Sequence, residues 1–440
     1  MDTPIIDFLE NYNASGTLRC HMPAHKGKVV FGFDLSDDIT EISGADSLFE
    51  AEGIIAQSER NMSSLYGTAA TVYSAGGSTL CIQAMLAIMK REGRRVFAAR
   101  NAHRAFLNAA ALLDLEVDWL MPEYSSSLLS GEVSAAAAAA ALSGCRGEKC
   151  CIYLTSPDYT GKTADIAAIA EVCREYDARL IVDNAHGAHL AYMPENMHPT
   201  ALGADMCCDS AHKMLPALTG AAMLHTAREE YVPMLKPAMG LFGSTSPSYL
   251  IMASLDYCNK YISERIRGDI AAGIEQISLL RSRFSGRLLF TDGDPFHITV
   301  RASESGISGI RLAELIRENG CECEYSDSDL AVLLMSPVNT AADYSQLSDA
   351  LEKSLRGVEL IPREAEPFPL PLPESAMSVR EAVFAQSETI SVDEAVGRIC
   401  GAVEVPCPPA IPIAVSGEVI SRECVNIFKR YGISEVNVVK

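Results

Sequence analysis

The run Cys208-Asp209-Ser210-Ala211-His212-Lys213 sets a lysine just beyond Asp205 to Cys208, a short stretch with the pattern of a buried strand. Upstream, Leu180-Ile181-Val182 runs into Asp183, a carboxylate at the C-terminal end of a second apolar run. In an open α/β sheet, ligands bind outside the C-terminal ends of the strands. An aspartate at one strand end and a lysine past another are the two protein groups that pyridoxal 5'-phosphate (PLP) chemistry requires. The amine condenses with the cofactor aldehyde, and the carboxylate keeps the pyridine nitrogen protonated. A lysine after a strand is ordinarily a solvated loop residue, but the company of Lys213 argues otherwise. Ser210 and His212 flank it with a hydroxyl and an imidazole, and Tyr73-Ser74-Ala75-Gly76-Gly77-Ser78-Thr79 brings a glycine pair into a helical pattern. Free N–H groups and the positive dipole end at such a helix start suit a phosphate. An ordinary N-cap at Ser78 or Thr79 would produce the same letters.

The elements that must position these groups alternate between strand-like and helix-like over residues 60 to 260. Strands are expected at 96–99, 116–120, 150–154, 179–182 and 205–208, and helices at 103–113 and 165–176. This is the rhythm of βα units around a mainly parallel sheet, an α/β fold. From about residue 290 the pattern becomes that of a smaller α+β domain, with strands at 296–300 and 330–335 and helices near 308–318 and 342–355. Pro362, Pro367, Pro369, Pro371 and Pro373 predict a stiff connector. A last segment carries helix signals at 378–385 and 391–399. The expected division is therefore an arm at 1–59, a large domain at 60–290, a small domain at 291–361, a linker at 362–375 and a C-terminal segment at 376–440. The alanine run 135 to 141 favours a packing or surface helix.

Composition narrows the class. The chain has 440 residues and 48% apolar residues, and 57 acidic against 36 basic residues give a net charge of -21. Such a charge repels nucleic acid and anionic membranes, and no apolar run reaches the ~20 residues needed to span a bilayer. Fourteen cysteines and an N-terminus without a basic start or apolar core predict a reducing cytoplasm. Without paired C-x-x-C knuckles, no metal is expected. The basic cluster Lys90 to Arg95 reads as cations at a helix C-terminus.

Several motifs, in order, carry a resemblance to a family. They are His21-Met22-Pro23-Ala24-His25-Lys26-Gly27, Asp38-Ile39-Thr40-Glu41, Gly77-Ser78-Thr79 and Arg100-Asn101-Ala102-His103, followed by Asp183-Asn184-Ala185-His186-Gly187-Ala188-His189 and Ser210-Ala211-His212-Lys213. Ser244-Thr245-Ser246-Pro247-Ser248-Tyr249, Cys407-Pro408-Pro409-Ala410-Ile411-Pro412 and Ser416-Gly417-Glu418 complete the series. The chain resembles, nearly end to end, the bacterial-type ornithine/lysine/arginine decarboxylases, fold type I PLP enzymes of the aspartate aminotransferase-like kind. It does so in a short form without an N-terminal wing domain.

The resemblance implies roles. Lys213 is similar to the Schiff-base lysine, Asp183 to the partner of the pyridine nitrogen, and His103 to the histidine stacked on the ring. Gly77, Ser78, Thr79, His186, Ser210 and His212 are expected around the cofactor, with His212 or Lys213 returning a proton to Cα. Thr245 and Ser246 are expected to reach the phosphate of a neighbouring subunit, which requires a homodimer, possibly paired into a dimer of dimers. Glu418 is the carboxylate expected to receive a cationic substrate tail. Asn184, Lys28, Cys407 and Ala410 depart from the family pattern and bear on the choice among arginine, lysine and ornithine. Three other readings compete: an aminotransferase or other lyase with the same cofactor kit, a regulatory protein that binds PLP or an amino acid without turnover, and a zinc scaffold built on His186, His189, Cys207 and Cys208. No arginine occurs from Met214 to Thr226, where aminotransferases commonly carry one, and this favours decarboxylation.

Overall fold

The computed structural model describes residues 14–21, 26, 45–124, 127–145, 147–364, 372–401 and 411–440. Residues 22–25 and Gly27 of the first motif, Lys28, Asp38 to Glu41, Pro367, Pro369, Pro371 and Cys407 to Ala410 lie outside the described residues.

A seven-stranded sheet carries the molecule. Its strands are β1 (Ala70–Ser74), β2 (Arg95–Ala99), β3 (Val117–Leu120), β4 (Cys150–Thr155), β5 (Arg179–Asp183), β6 (Met206–Asp209) and β7 (Ala222–Thr226). They are ordered β1-β7-β6-β5-β4-β2-β3, with β7 antiparallel to both neighbours and every other pairing parallel. The central strands are continuous apolar runs because both faces are covered. Cys151, Tyr153, Ile181 and Cys208 pack into one cluster with Met85 and Phe106, which belong to helices α1 (Gly77–Arg91) and α2 (Arg104–Leu113). Ile152, Leu154, Val182 and Cys207 pack on the other face with Ile169 of α3 (Ile166–Glu175). Register aligns the strand ends: Asp183 pairs with Thr155 on one side and Cys208 on the other. Lys90 and Arg91 occupy the last turn of α1, where cations offset the dipole. The alanine run forms the helix Ala135–Ser143, capped by Ser134.

Beyond the long helices Tyr249–Glu264 and Ile266–Phe284 comes a three-stranded antiparallel sheet. Its strands β8 (His297–Arg301), β9 (Tyr325–Ser326) and β10 (Leu330–Leu334) run in the order β8-β10-β9, with helices α4 (Gly309–Glu318) and α5 (Ala341–Ser354). The N-terminal strand Leu18–Cys20 pairs in parallel with Cys321–Cys323. In the C-terminal segment, α6 (Val379–Phe384) matches its signal. The helix expected at 391–399 does not form. Ser387–Ser391 is strand β11, paired with β12 (Glu435–Val439) beyond helix α7 (Arg422–Arg430). Only one 3-10 turn, Val392–Glu394, follows β11 before Gly397 takes a φ of 82°, which breaks a helix. Among the described residues, every cysteine is free, all but Cys323 are buried, and no helix is long and apolar enough to cross a membrane.

Candidate active site

The C-terminal ends of β4, β5 and β6, the start of α1 and the residues around Lys213 enclose a cavity of about 350 Å³. Gly77, Ser78 and Thr79 line one side, and His103, Asp183 and His186 line another. Ser210, His212 and Lys213 close the base, so nine of the residues read from sequence meet in one place.

Each is positioned by its element. Asp183, 3% exposed, ends β5; it accepts from the Tyr153 hydroxyl at 3.2 Å and from the Ala185 N–H at 3.2 Å. Burial pushes its carboxyl above the usual range against the opposing pull of Lys213, so it is a buried acid that a cationic partner would stabilise. A protonated pyridine nitrogen is such a partner. Helix α1 begins without any side-chain cap, and Gly77 adopts a φ of 68°. Its first-turn N–H groups therefore suit a phosphate, beside a hydroxyl pair in which Ser210 donates to Ser78 at 2.9 Å. His103 caps α2, its Nδ1 accepting from the Ala105 N–H at 3.1 Å. Burial, helped by Lys213, lowers its pKa to about 4, so the ring stays neutral and can lie flat on an aromatic ligand. His212 Nδ1 donates to the Ala221 carbonyl at 2.9 Å. Lys213 Nζ lies 2.9 Å from His186 Nε2. A buried acid, an uncapped helix start, a neutral flat ring and a lysine fit PLP.

The wall residues not singled out from sequence include Glu324 and Tyr159. Glu324 lines the cavity from the small domain, accepting from the Tyr159 hydroxyl at 2.7 Å, and Tyr159 sets its ring edge-on to His186 at 5.2 Å. Glu324 lies just beyond the Cys321–Cys323 strand, and no spacing in the chain links it to Lys213.

One expectation needs correction. Glu418 does not line the cavity; its Oε2 is 2.8 Å from Nη2 of the fully buried Arg100, whose charge demands a carboxylate. Thr245 and Ser246, expected to serve a neighbouring subunit, do not line this wall, and Ser246 lines an adjoining cavity of about 240 Å³ that shares Thr79. The zinc arrangement fails because Cys207 and Cys208 alternate across the sheet, and His186 and His189 turn toward His297 and Asp294. Cys207 instead lies beside His198 and Asp209. There Asp209 accepts from Asn184 at 2.7 Å and from His198 Nε2 at 3.2 Å, with His225 Nε2 at 3.3 Å. Asn184 thus fastens the Asp183 loop to β6 instead of facing the cavity. A larger cavity of about 970 Å³, between the small domain and α7, is lined by Arg311, Glu359 and Arg430. None of the residues around Lys213 reaches it.

Comparison with known proteins agrees with this geometry. A profile of the Orn/Lys/Arg decarboxylase major domain matches residues 3–292, and one of the Orn/Lys/Arg decarboxylase C-terminal domain matches 361–431. A Bacillus subtilis protein, YaaO, described as uncharacterized, is 29% identical over 98% of this chain and 94% of its own. An arginine decarboxylase of Bacillus subtilis is 27% identical over 97% of this chain and 93% of its own. Among solved structures, lysine decarboxylase A from Pseudomonas aeruginosa superposes with a TM-score of 0.74 at 20% identity, covering 90% of this chain and 69% of that one. The chain belongs to the Orn/Lys/Arg decarboxylase family and is a PLP-dependent amino acid decarboxylase of fold type I.

Proposed function

We propose that this enzyme removes the α-carboxylate of a cationic amino acid, with arginine the first substrate to test, on PLP held by Lys213 and Asp183. The observation that carries the reading is that Lys213, Asp183 and Glu324 line one cavity. Relatives named arginine decarboxylase add to it.

When bound, PLP supplies an electron sink for the pair left behind as carbon dioxide departs. The chain does the rest. Lys213 would bond the cofactor, Asp183 would hold the proton on its ring nitrogen, and the flat His103 ring would lie against it. Gly77, Ser78, Thr79 and Ser210 would hold its phosphate. Glu324 draws in the guanidinium or ammonium tail and so turns the carboxylate end toward Lys213 and His212. One of these two returns the proton to Cα.

The proposal keeps the domain division at 1–59, 60–290, 291–361, 362–375 and 376–440, and the profile limits at 292 and 361 support the bounds of the small domain. It also keeps a homodimer in which Thr245 and Ser246 approach the partner's phosphate. In support, Ser246 and Thr79 line one cavity beside the cradle. A cytoplasmic setting is supported by the free, buried cysteines.

The test is carbon dioxide release measured with arginine, lysine and ornithine separately. Release from one of them, strongest with arginine, is expected; release from none contradicts the substrate class.

A further inference from the structure

Behind Lys213 a hydrogen-bonded line crosses into the small domain. Lys213 Nζ is 2.9 Å from His186 Nε2, and His186 Nδ1 is 3.0 Å from His297 Nε2. His297 Nδ1 is 2.7 Å from Asp294 Oδ2, and Asp294 Oδ1 is 3.0 Å from His189 Nε2. The three histidines and the aspartate are buried, none more than 6% exposed.

The carboxylate at the far end sets the direction of every bond. An ionised aspartate only accepts, so it requires hydrogens on His297 Nδ1 and His189 Nε2. Burial would push the Asp294 carboxyl up, but His189 and His297 overcome this and hold it below the usual range, so it stays charged. A neutral His297 with its hydrogen on Nδ1 offers a lone pair at Nε2 and takes the His186 Nδ1 hydrogen. His186 is then left with a bare Nε2 facing Lys213. Burial and the Lys213 charge keep His186 neutral. At the other end, the same logic leaves His189 Nδ1 a bare acceptor, and it has no hydrogen-bond partner among the described residues.

We propose that Asp294 and His297 are positioning residues that form a proton sink for Lys213. The Lys213 ammonium gives a proton to His186 Nε2 while the His186 Nδ1 proton passes to His297 Nε2. Two N–H bonds break and two form. The positive charge moves from Lys213 to His297, beside an Asp294 that remains ionised. Lys213 is left as the neutral amine that can condense with an aldehyde. The inference rests on Lys213 being the lysine that bonds PLP.

The surroundings fit this role. Asp183 faces Lys213 and favours its charged form, and a neutral His103 and the His212 ring share the same wall. The hydrogen bond from Lys213 to His186 at 2.9 Å gives the proton a route away from the cavity. Tyr159 covers the His186 ring, and Arg281 donates to the His297 carbonyl at 3.3 Å and lies near Asp294. Tyr344 also faces Asp294. The close approach of the loop around Gly161 depends on the missing side chain: its φ is 92°, and a Cβ there would fall 2.4 Å from that of His297.

The test follows PLP capture by the full-length chain after its cofactor has been removed. Inorganic-buffer solutions from about pH 6 to about pH 9 span the range in which a lowered lysine titrates. The readout is the visible absorbance that accompanies the Lys213–PLP bond. His297→Gln keeps an acceptor for His186 but cannot carry the proton, and Asp294→Asn removes the anion. In both, the pH midpoint of the capture rate should rise by about one unit or more. An unchanged midpoint in a folded variant overturns the relay, and a lower melting temperature with an unmoved midpoint assigns these residues a structural role only. If Asp294→Asn does not fold, His297→Gln decides alone. A Lys213→Ala variant that develops the same band as the wild type overturns the lysine assignment instead.

Discussion

Arg100 Nη2 and Glu418 Oε2 meet at 2.8 Å, with the guanidinium wholly closed to water. The same guanidinium donates to the carbonyls of Pro412 and Ile413 at 3.1 Å and 3.2 Å, and it lies over the Trp119 ring. The C-terminal segment is thereby fastened beside Asn101 and His103, two residues of the cavity wall. Removing one partner of a buried pair strands the other charge, so Glu418→Ala should destabilise the protein by about 3–5 kcal/mol. Urea unfolding measures this. A Glu418→Ala protein of unchanged stability with only a raised KM would return Glu418 to the role of substrate carboxylate.

Glu324 is the acid assigned to the substrate tail. Glu324→Gln keeps the shape and a hydrogen-bond acceptor for Tyr159 but loses the charge. It should raise KM for arginine by about 10- to 100-fold, equivalent to about 1.4–2.7 kcal/mol, while the PLP absorbance stays as in the wild type. Steady-state kinetics beside a spectrum separate the two. An unaltered KM would remove Glu324 from substrate binding.

Asp183→Asn should retain PLP on Lys213 and lose kcat on the order of a hundredfold or more, because a neutral amide no longer keeps the ring nitrogen protonated. Rate and bound cofactor are measured on the same sample. An unchanged kcat would mean that ring protonation does not matter here.

Asp209 is held well below the usual carboxylate range because His198 and His225 outweigh its burial. A depressed folded pKa stabilises the protein above the unfolded value of about 3.9 and loses that contribution as pH falls toward the folded value. Asp209→Asn should therefore be less stable than the wild type at neutral pH, and the gap should narrow as pH drops below about 4. Denaturation curves across that range check the sign. A gap that widens on acidification would contradict it.

Much of the sheet was legible because β4, β5 and β6 are buried on both faces and so read as unbroken apolar runs. Lys213 and Asp183 stood out by their position relative to those runs. Strand β7 was not anticipated: Ala222–Thr226 is short, contains His225, and joins the sheet antiparallel between β1 and β6. The helix expected over 391–399 gave way to the pairing of Ser387–Ser391 with Glu435–Val439, a contact between segments that local propensity does not register. The same limit hid Glu324, His297 and Asp294, which reach the site only when the small domain folds back. Glu418 was visible as part of a motif. Its partner Arg100, 318 residues earlier in the chain, was not visible as such.

The most direct test of the central claim is a paired measurement on wild-type protein and Lys213→Ala: the visible spectrum after addition of PLP, then carbon dioxide release on addition of arginine. The wild type should show the band and release carbon dioxide, and the variant should do neither. Carbon dioxide release by Lys213→Ala at the wild-type rate would contradict the assignment of Lys213 and the chemistry built on it.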